Sequence, residues 1–186
     1  MSVVLRAKEF AIKAHGAQVR KYTNEPYMVH PIRVAHRLTQ EKFPDHVVAA
    51  AMMHDVLEDT PVKYHHIEHE FGPHIAKLVS EVTDVSRKTD GNRAIRKSID
   101  RAHLAESSHH GASIKLSDLL DNTQDILKHD KKFAGVYIPE AKRLLEVLKH
   151  GHTGMWNELH ARLAESPDGG HREPTKVSRS KAHIYD

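Results

Sequence analysis

The densest chemistry in this chain stands at positions 54–59, where His54-Asp55 is followed closely by Glu58 and Asp59. An imidazole beside a carboxylate can ligate a metal or move a proton. The pair follows the apolar run VVAAAMM, so it is expected where a buried helix meets a cavity. A buried His and Asp need partners, and either a metal or a hydrogen bond within the core supplies them. Adjacency alone decides little, because 18 His and 12 Asp among 186 residues give about one such neighbour by chance. His129-Asp130, near a helix end, is read as that chance pair. Helical spacing would set Glu58 one turn from His54 and Asp59 one turn from Asp55. Carboxylates so placed repel, and a nearby cation keeps them ionised. An ionised carboxylate beside a metal-bound water is a general base. A solvated helix C-terminus is the plainer reading, although acids are unfavourable at the negative end of the helix dipole.

Two further patches carry polar side chains in patterns. In IKLSDLLDNTQDIL, Asp118, Asn122 and Asp125 fall at i, i+4 and i+7, with Lys115 and Asp121 nearby. The stripe lines a polar cleft or faces water, and for a helix taken alone water is the commoner choice. In RKYTNEPYMVHP, Arg20 and Lys21 precede His30, which stands just before Pro31. A loop with Arg, Lys and Tyr beside a candidate ligand suits a phosphorylated substrate with an aromatic base. Ordinary exposed loops carry such basic pairs too.

The elements that must position these groups are helices. Ser2 to His15 has apolar residues near helical spacing, and GAQVRKYTNEP reads as a loop. Pro31 opens a second helix, and Pro44-Asp45 opens a third running to about Leu57. Thr60-Pro61 and Gly72-Pro73 punctuate two more segments, the second being HIAKLVSEVTDV. RAIRKSIDRAHLAESS, ASIKLSDLLDNTQDILKH, IPEAKRLLEVLKH and MWNELHARLAE follow. No hairpin pattern stands out, so the fold class is all-α, a single-domain helical bundle over residues 1–165. Residues 166–186 read as a polar tail, disordered or docked.

Composition narrows the function classes. Lys and Arg number 28 against 25 Asp and Glu, a balance of +3 with no basic patch outside the tail, which argues against a nucleic-acid partner. No apolar run nears the ~18–20 residues of a membrane span, so no membrane partner is expected. With no Cys, disulfides and thiolate ligands are excluded, and a reducing cytoplasm is the expected location.

Taken together, the patches resemble the HD-domain hydrolases of the RelA/SpoT type, most closely the small single-domain alarmone hydrolases that include the metazoan SpoT homologue. AHGAQVRKYTNEPYMVHPIRVA is similar to the first signature of that family, HDVLEDT to the central one and IKLSDLLDNT to the third, with Ser117 in place of the common Ala. EFGPHIAKLVSEVTD resembles the intervening segment, and the likeness covers residues 3 to 150. It implies an HD-type helical bundle with His30, His54, Asp55 and Asp118 as metal ligands and Mn²⁺ as the cofactor. It implies that Glu58 and Asp59 position and activate the attacking water. Arg20 and Lys21 match residues near base and phosphates, Asn122 matches a nucleoside contact, and Tyr137 matches a pocket aromatic less closely.

The implied reaction removes the 3′-diphosphate from the alarmone guanosine 3′,5′-bis(diphosphate), (p)ppGpp, or from its adenine analogue (p)ppApp, releasing pyrophosphate. With no synthetase segment after residue 150, the chain is expected only to degrade. The partner is thus a small-molecule nucleotide, and the oligomeric state, monomer or homodimer, stays open. Basic residues in SRKTDGNRAIRK could reach the 5′-diphosphate or form a solvated helix face. Competing readings are a general HD phosphohydrolase acting on nucleotides or NADPH, and a catalytically silent alarmone-binding module. The complete set of six ligand and carboxylate residues argues against the silent module.

Overall fold

A computed structural model describes residues 1–165, and the tail expected at 166–186 lies outside them. Ten α-helices occur among the described residues: α1 (Val3–His15), α2 (Val29–Gln40), α3 (Asp45–Met52), α4 (Val56–Asp59), α5 (Tyr64–Phe71), α6 (Pro73–Val82), α7 (Arg93–Ala105), α8 (His109–His129), α9 (Lys131–Val147) and α10 (Thr153–Glu165). The all-α expectation holds. The described residues contain no strand, only an isolated antiparallel bridge between Val19 and Pro26. No helix among them is long and apolar enough to cross a membrane.

The helix starts follow from local chemistry. Ser2, Asn92, Ser108 and Asp130 each accept a backbone N–H two or three residues into α1, α7, α8 and α9, which satisfies a donor with no partner inside the helix. Asp130, of the discounted His129-Asp130 pair, therefore has a structural use as a cap. Pro73 fits the first turn of α6, where its missing N–H costs nothing.

Two helices occupy the middle. In α3 all residues from Val47 to Met52 are buried, and the three alanines let α1, α2, α6 and α8 approach closely. A helix apolar on every side is stable only inside a core. The 21-residue α8 packs against α2, α3, α6, α9 and α10. Ser117, fully buried, donates to the Val34 carbonyl at 3.0 Å and joins α8 to α2. α8 carries Asp118, Asn122 and Asp125, and α3 leads into the turn that holds His54 and Asp55.

Two expected boundaries are corrected. The third helix was expected to reach Leu57, but α3 stops at Met52 and residues 53–55 form a turn before the short α4. His54 and Asp55 thus lie in a break, where the His54 ring bonds the Ala51 carbonyl at 2.8 Å and the His54 backbone N–H reaches the same oxygen at 3.4 Å. The helix expected to open at Ile138 begins at Lys131 and runs through Pro139. The proline removes the bond that the Gly135 carbonyl would accept, while Ala134, Ile138, Ala141 and Leu145 on the buried face hold the helix together.

Candidate active site

The break after α3, the start of α2 and the middle of α8 bring four side chains to one point. His30 Nε2 lies 3.2 Å from His54 Nε2, 3.1 Å from Asp118 Oδ1 and 3.7 Å from Asp55 Oδ2. His54 Nε2 lies 3.0 Å from Asp55 Oδ2 and 3.7 Å from Asp118 Oδ1. His30, His54 and Asp118 are only 1%, 2% and 3% exposed. First-row cations with bonds of about 2.1 Å hold neighbouring donors ~3.0 Å apart in an octahedron and ~3.4 Å in a tetrahedron. The observed edges bracket those lengths.

The outer contacts settle which ring nitrogens point inward. His54 Nδ1 must donate, because its partner is the Ala51 carbonyl oxygen. His30 Nδ1 faces Asp121 Oδ2 at 2.7 Å, the carboxylate–imidazole support common behind metal-bound histidines. Both Nε2 atoms therefore aim at the shared point. Burial disfavours the charged imidazoles, but Asp118 and Asp121 overcome it at His30, and Asp55 and Asp118 at His54, so both pKa values rise. Two Nε2 protons cannot share a 3.2 Å gap. A divalent cation removes the conflict, since the neutral rings then present lone pairs and the carboxylates keep a counter-charge. The residues present fit such a group.

The carboxylates are held from outside as well. Asp118 Oδ2 pairs with Lys115 Nζ at 2.8 Å, and Asp118 Oδ1 accepts from Asn122 Nδ2 at 2.6 Å. Burial would raise the Asp118 carboxyl, but Lys115 and both imidazoles hold it well below the usual range. Asp55, also penalised by burial, is kept low chiefly by His54. Tyr27, of the Glu-Pro-Tyr stretch, donates to Asp55 Oδ2 at 2.5 Å, and burial and Asp55 together push its phenol pKa up.

Glu58 and Asp59 follow on α4. Glu58 Oε1 accepts from the Asp84 backbone N–H at 2.6 Å. The loop supplying that donor is pinned by buried Asp100, which accepts from the backbone N–H groups of Val85 and Ser86 and from the Ser86 hydroxyl. Glu58 opens to solvent along one side, yet protein around its carboxyl removes enough water to raise its pKa to about 7, with Lys115 pulling the other way. Asp59 is raised too, by desolvation and by Asp55.

A cavity of about 250 Å³ opens beside Asp118, with Lys115, Arg93, Lys97, Asn122, Phe133 and Tyr137 in its wall. The stripe on α8 is therefore not solvated: Asp118 and Asp125 are buried, because α2 and the 18–27 loop cover that face. Arg20 donates to Asp125 Oδ2 at 2.8 Å and to Asn122 Oδ1 at 3.3 Å, and its guanidinium lies 6.0 Å from the Tyr27 ring centroid. Lys21 is exposed, pairs with Asp130 at 3.2 Å and sits 5.6 Å from the Phe133 ring. Tyr137 meets the Thr123 hydroxyl at 3.0 Å. Asn122 and Tyr137 thus line the cavity, Lys21 sits at its edge through Phe133, and Arg20 is engaged with α8. Arg96 bonds the Gly91 carbonyl, whereas Arg93 makes a two-point pair with Glu140 inside the cavity wall.

Tyr27 and Asp84 were not singled out from sequence, Asp121 was named only beside the α8 stripe, and Lys97 only within the basic segment SRKTDGNRAIRK. Asp121 and Tyr27 stood inside the quoted signatures, three residues from Asp118 and from His30 respectively, a spacing that could have flagged both. Asp84, paired with Lys97 at 2.8 Å, carried no comparable signal.

Comparison with known proteins shows the family and the fold. A profile of the HD domain matches residues 7–133. The guanosine-3′,5′-bis(diphosphate) 3′-pyrophosphohydrolase of Aquifex aeolicus is 37% identical over 153 residues, covering 76% of this chain and 21% of its own length. The guanosine-3′,5′-bis(diphosphate) 3′-pyrophosphohydrolase MESH1 of Xenopus tropicalis is 34% identical over 128 residues, 67% of this chain and 70% of that protein. A solved structure of a metazoan ortholog of SpoT that hydrolyzes ppGpp superposes with a TM-score of 0.81 at 28% identity, covering 90% of this chain and 97% of that one. The chain thus spans about a fifth of the bacterial relative and most of the metazoan ones.

Proposed function

The chain belongs to the HD-domain family, and we propose that it is a divalent-metal-dependent 3′-pyrophosphohydrolase of alarmone nucleotides, with Mn²⁺ as its metal. One observation carries the reading: four inward donors adjoin a cavity whose wall holds Arg93, Lys97 and Lys115, each paired with a carboxylate, and the rings of Phe133 and Tyr137. His30, His54, Asp55 and Asp118 would hold the cation. When bound, it polarises a phosphate oxygen and lowers the pKa of a coordinated water.

The chain's own residues do the rest. Glu58, with a carboxyl pKa of about 7, accepts a proton from the attacking water and can return it to the leaving 3′-oxygen. Asp59 beside it orients that water. Lys115 keeps Asp118 ionised and places a positive charge at the cavity floor. Arg93 and Lys97, paired with Glu140 and Asp84 at the cavity wall, can turn to neutralise phosphate charge there. Phe133 and Tyr137 offer ring surfaces to a purine. The bond between O3′ and its phosphorus breaks, water oxygen enters the pyrophosphate, and the nucleoside 5′-diphosphate leaves with a 3′-hydroxyl.

Stacking does not distinguish guanine from adenine, so (p)ppApp is a substrate on the same footing as (p)ppGpp. A small soluble nucleotide is the only partner the reading requires. Chelator-stripped protein, reloaded with Mn²⁺ and assayed against both 3′-diphosphorylated purines and NADPH, tests the reading. Restored pyrophosphate release from the alarmones supports it. Full activity in verified metal-free protein, or turnover of NADPH alone, overturns it.

A further inference from the structure

Eighteen histidines are far more than the catalytic centre uses. Three of the others meet at a second place. His46, His74 and His110 each occupy the second position of a helix, α3, α6 and α8 respectively. Each can offer a ring nitrogen within 4.8 Å of the other two. The His46 ring centroid lies 4.6 Å from that of His74 and 5.5 Å from that of His110. His46 Nε2 is enclosed and has no hydrogen-bond partner. A buried ring nitrogen without a partner is costly unless something binds it.

We infer that His46, His74 and His110 form a second metal site, structural and suited to Zn²⁺, apart from the catalytic one. Three imidazoles with an open fourth position are a set that Zn²⁺ accepts in tetrahedral geometry. Tetrahedral nitrogens sit ~3.4 Å apart, so nitrogens within 4.8 Å of one another must close by up to about 1.4 Å. His74 is exposed and has room to make that movement.

Charge favours a cation over an anion. Burial lowers the His46 and His110 pKa values, and the neighbouring imidazoles lower them further. Both rings are then neutral near pH 7, with lone pairs to give. The positive ends of three helix dipoles oppose a cation there. Two carboxylates act against them: Asp45 beside His46, and Glu81, which accepts from the Ser108 backbone and hydroxyl next to His110.

The placement gives the site its role. His46 stands six residues before the end of α3 at Met52, about 9 Å of helix rise, with His54 in the turn that follows. On α8, His110 stands eight residues before Asp118, about 12 Å of helix rise. A cation bridging the N-terminal turns of α3, α6 and α8 would fix the far ends of the two helices that lead to catalytic ligands.

Tag-free full-length protein, stripped and then saturated with Mn²⁺, is titrated with Zn²⁺ by calorimetry and, separately, with Co²⁺ by visible absorption. Wild type should take up a second equivalent, show the intense Co²⁺ bands of a tetrahedral site and gain about 5–10 °C in Tm at 100 times Kd. His74→Ala, a surface change, should weaken that second site at least ~100-fold and leave the first equivalent in place. A single equivalent in wild type overturns the inference. So does a second equivalent that survives both His74→Ala and His46→Gln. A His74-dependent rise in Tm with inorganic phosphate and none with Zn²⁺ also overturns it, and identifies an anion site.

Discussion

Asp121 touches no proposed substrate atom, yet removing it should cripple metal binding. Its Oδ2 sits 2.7 Å from His30 Nδ1, and Asp121 is the only carboxylate on that side of the ring among the described residues. The contact holds the ring with Nε2 turned inward and makes that nitrogen more basic. In Asp121→Ala the buried Nδ1–H loses its acceptor and the ring is free to reorient. Arg20, 3.9 Å from Asp121, keeps its stronger 2.8 Å pair with Asp125, so the loop that carries it should stay in place. Losing such outer support costs about 10–100-fold in metal affinity, or ~1.4–2.7 kcal/mol. Asp121→Asn retains an oxygen acceptor and should fall between wild type and Asp121→Ala. Calorimetric Mn²⁺ titration gives the Kd values, and kcat at saturating metal separates binding from turnover. Equal Mn²⁺ affinity in Asp121→Ala and wild type would refute the reasoning, and so would a loss in Asp121→Asn as large as in Asp121→Ala.

The other predictions concern water activation, pH, substrate hold and packing. Glu58→Gln and Asp59→Asn should fold and retain metal while kcat falls by about 10²-fold or more; near wild-type rates would move the base elsewhere. A base must be deprotonated, so kcat/KM should rise with pH and level off past an inflection at or below about 7, the Glu58 value, and the limb should vanish in Glu58→Gln. Arg20→Ala leaves buried Asp125 without its partner, so it should lower stability and raise KM for guanine and adenine alarmones alike, read by urea melts and initial rates. Gly151→Ala would set a methyl 2.7 Å from Leu116 Cδ1 and 3.1 Å from the Ala112 backbone, and should cost about 1–3 kcal/mol in the same melts.

Much of this was legible in the sequence because it is local. Helix starts follow from Ser2, Asn92 and Pro73, and the apolar run after Asp45 announces a buried helix. The break at residues 53–55 was not legible, since VVAAAMMHDVLED keeps helical spacing throughout and only the tertiary placement of His54 ends the helix. The burial of Asp118 and Asp125 was hidden for a related reason. A polar stripe on α8 looks the same whether water or Arg20 covers it, and Arg20 lies 105 residues away from Asp125. The meeting of His46, His74 and His110 depends on three helix ends converging, which no spacing along the chain encodes.

The position of bond cleavage tests the account most directly. Mn²⁺-loaded protein is incubated with guanosine 3′,5′-bis(diphosphate) in ¹⁸O-water, and the first products are read by mass spectrometry. The account predicts guanosine 5′-diphosphate without label and pyrophosphate carrying one ¹⁸O. Orthophosphate as the first product, or label in the nucleoside with none in pyrophosphate, would contradict it.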